Sequence, residues 1–236
     1  MNPLQHVELV TGAEPRGTVI WMHGLGADGW DFVPIVRELP LPADLALRFI
    51  FPHAPERAVT INNGFVMRAW YDIRQNDIAR LPDEAGIRES QASIEALIAR
   101  ERARGVPGER IVLAGFSQGG AIALQAGLRH ADRLAAIVAL STYLPLEDSL
   151  EREAAGSNKR TPVFMAHGTQ DPIIPLQLAD ASIRALTQRG YAVEWHTYPM
   201  PHAVCAEEVE ALGAFLTRVY ADGEAAPRSS SILLAR

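Results

Sequence analysis

Three residues far apart in this chain have the types and order needed for nucleophilic catalysis. Ser117 stands in Gly115-Phe116-Ser117-Gln118-Gly119, a G-x-S-x-G sequence. A β-type apolar run, 110–114, precedes it, and a helix-prone segment, 120–129, follows at once. Strand, sharp turn at serine, then helix is the context of a nucleophile elbow. The reason is steric. The turn must project Oγ clear of the sheet, and glycines beside it let strand and helix pass closely. The plainer reading is a Gly-rich turn with an exposed serine.

A serine hydroxyl is a poor nucleophile at neutral pH; it needs a base, and the base needs an acid to orient it. In a hydrolase built on such an elbow the order along the chain is Ser, acid, His. A predicted strand at 162–166 runs into His167-Gly168-Thr169-Gln170-Asp171-Pro172. A second, 191–198, runs into Pro199-Met200-Pro201-His202. Each places an ionisable residue just past a strand, at the sheet edge where Ser117 sits, with room for one strand–helix unit between them. The assignment is therefore Ser117 as nucleophile, His202 as base and Asp171 as orienting acid. His23 and His167 also end strands; each reads as well as a loop histidine bonded to backbone. Chain order and the helix that follows favour His202. Asp171-Pro172 reads equally as a turn and helix start.

The run His23-Gly24-Leu25-Gly26-Ala27-Asp28-Gly29 contains G-x-G-x-x-G after a strand. A dinucleotide site would also need an acid about 20 residues on, at the end of the next strand. That strand ends in Phe51-Pro52-His53, with no acid. The competing reading is an oxyanion hole made by the backbone N–H groups of Leu25 and Gln118. Losing one such donor typically costs about 3–4 kcal/mol of barrier.

The elements that must position these groups alternate. Residues 7–22 read as a hairpin-like opening whose second arm, 18–22, is a buried strand. A helix over 30–39 follows, with Asp28 or Asp31 near its start, then a strand at 47–51. A long amphipathic helix spans 83–104, with Ile87, Ser90 or Gln91, Ile94, Leu97 or Ile98, and Glu101 at helical spacing. After the elbow and its helix, 118–130, come a strand at 135–141, a polar loop at 147–161, a helix at 176–189 and a last helix at 203–220. Alternation of this kind predicts an α/β fold: a mostly parallel sheet flanked by helices, with function at the carboxyl ends of the strands. No segment is long enough for a separate cap domain, so a wide, shallow site is expected.

Residues 58–82 are expected to be irregular, with a turn at Asn62-Asn63-Gly64 and a cluster of Met67, Trp70 and Tyr71. Trp70 and Ile173 are the expected walls of an acyl pocket; for Trp70, plain core packing is nearly as good a reading. An apolar flank near this loop is the candidate surface for a homodimer.

The 236 residues, 48% apolar and 21% charged, suit one domain over 1–220 with a flexible tail at 221–236. A net charge of -6 without a Lys/Arg cluster argues against nucleic acid. The N-terminus lacks a signal-peptide pattern, and the most apolar run, 134–146, is too short to span a bilayer. A single Cys205 excludes an internal disulfide, and the expected setting is soluble and cytoplasmic. No H-E-x-x-H set is present, so neither a metal nor another cofactor is expected.

Taken in order, His23-Gly24-Leu25-Gly26-Ala27-Asp28-Gly29, Trp70-Tyr71-Asp72-Ile73, Gly86-Ile87, Gly115-Phe116-Ser117-Gln118-Gly119-Gly120, Leu140-Ser141-Thr142-Tyr143-Leu144-Pro145, the His167-to-Pro175 stretch and Met200-Pro201-His202 are specific. The chain resembles the carboxylesterase/acyl-protein thioesterase family of small α/β-hydrolases from about residue 17 to 220. The resemblance implies a lidless serine esterase acting on short acyl esters, thioesters or lysophospholipids. It carries the triad onto Ser117, Asp171 and His202 and the oxyanion donors onto Leu25 and Gln118. The leading expectation is a cofactor-free hydrolase of small or short-chain carboxylic esters, working through an acyl-enzyme. Acyl-protein thioesterase and lysophospholipase are the alternatives. A non-catalytic binding module on the same fold is the alternative of a different class.

Overall fold

The strand β2, Thr18–Met22, shows how the sequence builds the sheet. All five residues are buried. Val19 and Trp21 enter one core and Ile20 and Met22 the other, because successive side chains point to opposite faces. A strand covered on both sides reads as an unbroken apolar run. The computed structural model describes residues 4–74 and 82–222. The strands in chain order are β1 (His6–Val10), β2, β3 (Arg48–Pro52), β4 (Glu56–Val59), β5 (Phe65–Arg68), β6 (Ile111–Phe116), β7 (Ala136–Leu140), β8 (Val163–Gly168) and β9 (Val193–Tyr198). The helices are α1 (Ile35–Glu38), α2 (Glu84–Ala103), α3 (Gln118–Arg129), α4 (Glu147–Glu153), α5 (Leu176–Gln188) and α6 (Ala206–Asp222).

Seven strands form one sheet in the order β1-β3-β2-β6-β7-β8-β9. All neighbouring pairs are parallel except β1 with β3. One face packs on α2, α3 and α5 through residues such as Ile94, Leu97, Ile122 and Leu186. The other packs on α1 and α6 through Val36, Leu212, Phe215 and Leu216. The chain steps from β2 to β3 on one side and from β6 to β7 on the other. The crevice between β2 and β6 is thus the topological switch point, where ligands of open α/β sheets bind.

Four expectations need correction. The 7–22 segment is not a hairpin: β3 lies between β1 and β2, and Val7 pairs with Phe51. The helix over 30–39 shrinks to α1. A series of three-residue steps, such as Asp31 N–H to Asp28 O at 3.2 Å and Ile35 N–H to Phe32 O at 3.2 Å, fills the preceding stretch, and Pro34 fixes where the helix begins. The irregular 58–82 stretch holds a hairpin in its first part: β4 pairs antiparallel with β5, and Asn63 and Gly64 take positive φ in the turn. Residues 75–81 of that loop lie outside the described residues, as does the tail from 223 onward. The polar 147–161 loop contains the two-turn helix α4, anchored by Arg129, whose Nε donates to Glu153 at 2.8 Å. Among the described residues, no helix is long and apolar enough to cross a membrane.

The hairpin leaves Phe65 and Val66 largely exposed, at 68% and 58%.

Candidate active site

Ser117 links β6 to α3 with φ 55° and ψ -122°, a region L-residues rarely occupy and that costs about 1–3 kcal/mol. The surroundings over-determine it. Its N–H donates to Leu140 O at 2.8 Å, and its carbonyl accepts from Ala121 N–H at 3.1 Å and from the Thr142 hydroxyl at 2.7 Å. Gly119 makes the geometry possible, since a Cβ there would run into the backbone carbonyls of Met22 and His23. β2 and α3 therefore touch through backbone, which brings the His23–Gly29 loop beside the serine.

That loop is braced from within. His23 is buried, and its Nδ1–H donates to Gly24 O at 2.7 Å while Nε2 accepts from Ala54 N–H at 3.0 Å. Carbonyl and amide together dictate a neutral tautomer. Burial reinforces this by lowering the imidazole pKa to about 4. Gly26 N–H is bound by Arg68 O at 2.8 Å. Leu25 lies between these ties and lines the same cavity as Gln118. As the first residue of α3, Gln118 has a backbone N–H with no acceptor within its helix.

The end of β8 and the end of β9 meet in the same manner. Thr169 N–H donates to Tyr198 O at 2.8 Å, and Gly168 fits against the carbonyls of Met200 and Pro201, where a Cβ would not. The contact delivers His202 to Asp171, with Nδ1 and Oδ2 2.7 Å apart. Nδ1–H donates, since the carboxylate only accepts, so Nε2 is left with its lone pair for the serine proton. The Asp171 side chain is fully buried. Its Oδ1 accepts from Ile173 N–H at 2.8 Å and Ile174 N–H at 2.9 Å. Its Oδ2 also lies 3.3 Å from His167 Nε2, which donates to Ile174 O at 2.8 Å. Two backbone N–H donors besides His202 thus hold the carboxylate.

Ser117, Leu25, Gln118, His202 and Ile173 all line one cavity of about 280 Å³ at the carboxyl edge of the sheet. With that geometry, a model of the phospholipase/carboxylesterase family matches residues 5–220. The chain belongs to that family. It is a serine hydrolase of this type. Its relatives include proteins named acyl-protein thioesterase 1 from Neurospora crassa and Mycosarcoma maydis. The first is 42% identical over 87% of each chain; the second is 37% identical over 89% of this chain and 93% of that one. Among solved structures, Arabidopsis thaliana SOBER1 superposes with a TM-score of 0.81 at 29% identity, covering 86% of this chain and 98% of its own. Zea mays acyl-protein thioesterase 2 superposes with a TM-score of 0.81 at 25% identity, covering 92% and 99%. The α/β-hydrolase fold expected from the sequence is therefore shown.

Within this family member, one expected site residue moves. Trp70 does not wall the cavity. It is fully buried, its Nε1–H donates to His23 O at 2.9 Å, and its backbone N–H binds the Gln118 side chain at 3.0 Å. Gln118 in turn donates from Nε2 to Tyr71 O at 2.8 Å. The indole is a brace between the His23 loop and the elbow. Its neighbour Tyr71 faces the cavity instead, and its hydroxyl lies 3.0 Å from that of Tyr143, a second lining residue. Burial pushes the Tyr143 phenol up to about 12 and raises the Tyr71 phenol well above its usual value, so both stay neutral. Phe116 and Ile73 complete the apolar side. The sequence reading missed Tyr71 and Tyr143 as lining residues: Trp70 and Tyr71 are both buried at a bend beyond β5, and nothing local says which of the two reaches the cavity.

The dinucleotide alternative also loses its footing. The G-x-G-x-x-G run leads into tight turns and a four-residue helix, which offers no long helix N-terminus for a pyrophosphate.

Proposed function

We propose that this chain removes acyl groups from thioesters through a covalent acyl-enzyme, with Ser117, His202 and Asp171 as its triad. The observation that carries the reading is the 2.7 Å His202–Asp171 bond, made in the loop that places His202 in one cavity with Ser117. The thioester preference draws on the relatives named acyl-protein thioesterase 1. It stands ahead of the short-chain oxygen-ester expectation.

The Ser117 hydroxyl gives its proton to His202 Nε2 as Oγ bonds to the acyl carbon. The carbonyl oxygen gathers negative charge, met by the N–H groups of Leu25 and Gln118. The carbon–sulfur bond then breaks, and the thiol leaves with the proton that His202 held. Water repeats the sequence from the other side: it yields a proton to His202, attacks the acyl carbon, and releases the carboxylic acid and a free Ser117. Asp171 keeps Nδ1 protonated throughout, so one imidazole face always meets the serine.

A second reading, hydrolysis of short-chain oxygen esters, has its own support: about 280 Å³ lies at the small end of small-molecule sites. The deciding experiment compares kcat/KM for oxygen and sulfur esters of the same acyl group, over a series of chain lengths. Faster turnover of the thioesters supports the proposal; a uniform preference for oxygen esters overturns it. In the same assay Ser117→Ala should lower kcat by about 10⁶ with the circular dichroism unchanged, the scale seen when a triad nucleophile is removed. It should also lose labelling by a fluorophosphonate, whereas a non-catalytic binding module would resist labelling before mutation.

A further inference from the structure

Asp31 is the acidic side chain that reaches the reaction cavity without a role in the chemistry above. The sequence suggests it as a helix-start residue, and the structure removes that explanation: α1 begins after Pro34, with no side-chain cap. Asp28, by contrast, is in use, with Oδ1 accepting the Trp30 N–H at 2.8 Å. Asp31 lines the cavity together with Leu25, Ala27 and Ser117. No lysine or arginine is among the lining residues, and among the described residues no cation pairs with the Asp31 carboxylate. Partial desolvation first, and then Asp28 beside it, raise its carboxyl above the usual range, which is the mark of an uncompensated negative charge.

Such a charge cannot serve the acyl side. An acyl chain laid against a carboxylate would strip its water and return nothing. The apolar lining, Ile73, Phe116 and Ile173, suits the chain instead. By elimination Asp31 faces the departing group.

We propose that Asp31 makes the site selective for leaving groups that carry positive charge next to the scissile bond, and against anionic ones. The inference rests on the serine-hydrolase reading above. The favoured chemistry is a thiol or alcohol bearing an ammonium or guanidinium group, and the disfavoured one a phosphate- or carboxylate-bearing thiol. Because Asp31 reaches water, each unit of charge on the leaving group changes kcat/KM by about fivefold at contact distance, and salt weakens the effect.

The test uses the full chain and three thioesters of one short acid: the acylthiocholine, the neutral N-acetylcysteamine ester and the mercaptopropionate ester. At low salt kcat/KM should rank cation, neutral, anion, with a ratio of roughly 25 between the ends. Asp31→Asn should shrink that ratio at least fivefold and flatten its salt dependence. Asp44→Asn, the same charge change at a remote exposed site, should leave it in place and so separates Asp31 from the protein's overall charge of -6. S-acyl cysteine peptides with Lys or Glu beside the cysteine distinguish a basic peptide from a small quaternary amine as the source of charge. Equal rates across the three esters, or a ratio indifferent to Asp31→Asn, overturn the inference while Ser117-dependent turnover of the neutral ester leaves the hydrolase reading standing. Turnover that survives Ser117→Ala removes both.

Discussion

Single residues in this protein divide by what their side chains touch, even where both are buried side by side. Trp70 and Tyr71 are adjacent and almost equally apolar, yet the first braces the His23 loop and the second faces the cavity. Trp70→Phe tests the division. The ring stays and the Nε1–H is lost, leaving the buried His23 carbonyl unpaired. Stability to urea should drop by about 1–3 kcal/mol, with the acyl-chain-length profile of kcat/KM unchanged. An altered profile would return Trp70 to the pocket wall. The three side chains of the proposed triad were legible because each follows a strand and because their order along the chain has a mechanistic meaning. Trp70 was not, since its composition fits a pocket wall and a brace alike and nothing local chooses between them.

At the scale of elements, the site is made by close backbone approaches. β2 passes α3 at Gly119, and β8 passes the end of β9 at Gly168. Gly119→Ala should force β2 and α3 apart, costing about 3 kcal/mol or more and lowering kcat even in the protein that remains folded, because Leu25 and Gln118 would no longer converge. Thermal unfolding and single-turnover acylation measure the two effects separately. The long helix α2 was readable from its apolar spacing, which picked out the buried Ile87, Ser90, Ile94, Leu97, Ile98 and Glu101, but also the half-buried Gln91, and not the buried Gly86. The helix expected over 30–39 was not, because a proline inside an apolar run ends one local preference without saying what replaces it. α4 was missed for the opposite reason: its sequence is polar, and its helix is held by Arg129 from another element.

For the whole molecule, covering the sheet on both faces has a cost at one buried acid. Glu208, in the first turn of α6, is 0% exposed. Neither of its oxygens has a hydrogen-bond partner of good geometry, and the Cys205 backbone offsets its burial only in part. Burial pushes its carboxyl up from 4.5 to about 8. The folded state therefore holds a proton that the unfolded chain releases. Stability contributed by that proton is complete below about pH 4.5 and is lost as pH rises towards 8. At about 1.4 kcal/mol per unit the loss is on the order of 5 kcal/mol. Glu208→Gln should thus stabilise the protein by several kcal/mol at pH 9 and hardly at pH 4.5, as read from denaturant midpoints at the two pH values. Equal effects at both would show that Glu208 is already solvated or paired.

By itself the sequence determined the periodicities, the strand–turn–helix context of Ser117 and the place of each proposed triad residue just past a strand, since each depends on neighbours a few residues away. Strand pairing belongs to the tertiary structure alone: β3 lies between β1 and β2 although the chain visits it last of the three. The same is true of the Trp70 brace, the Tyr71–Tyr143 pair and the unpaired charge of Asp31. Each of these depends on which distant surface arrives opposite a side chain, and that is settled only when all the layers pack at once.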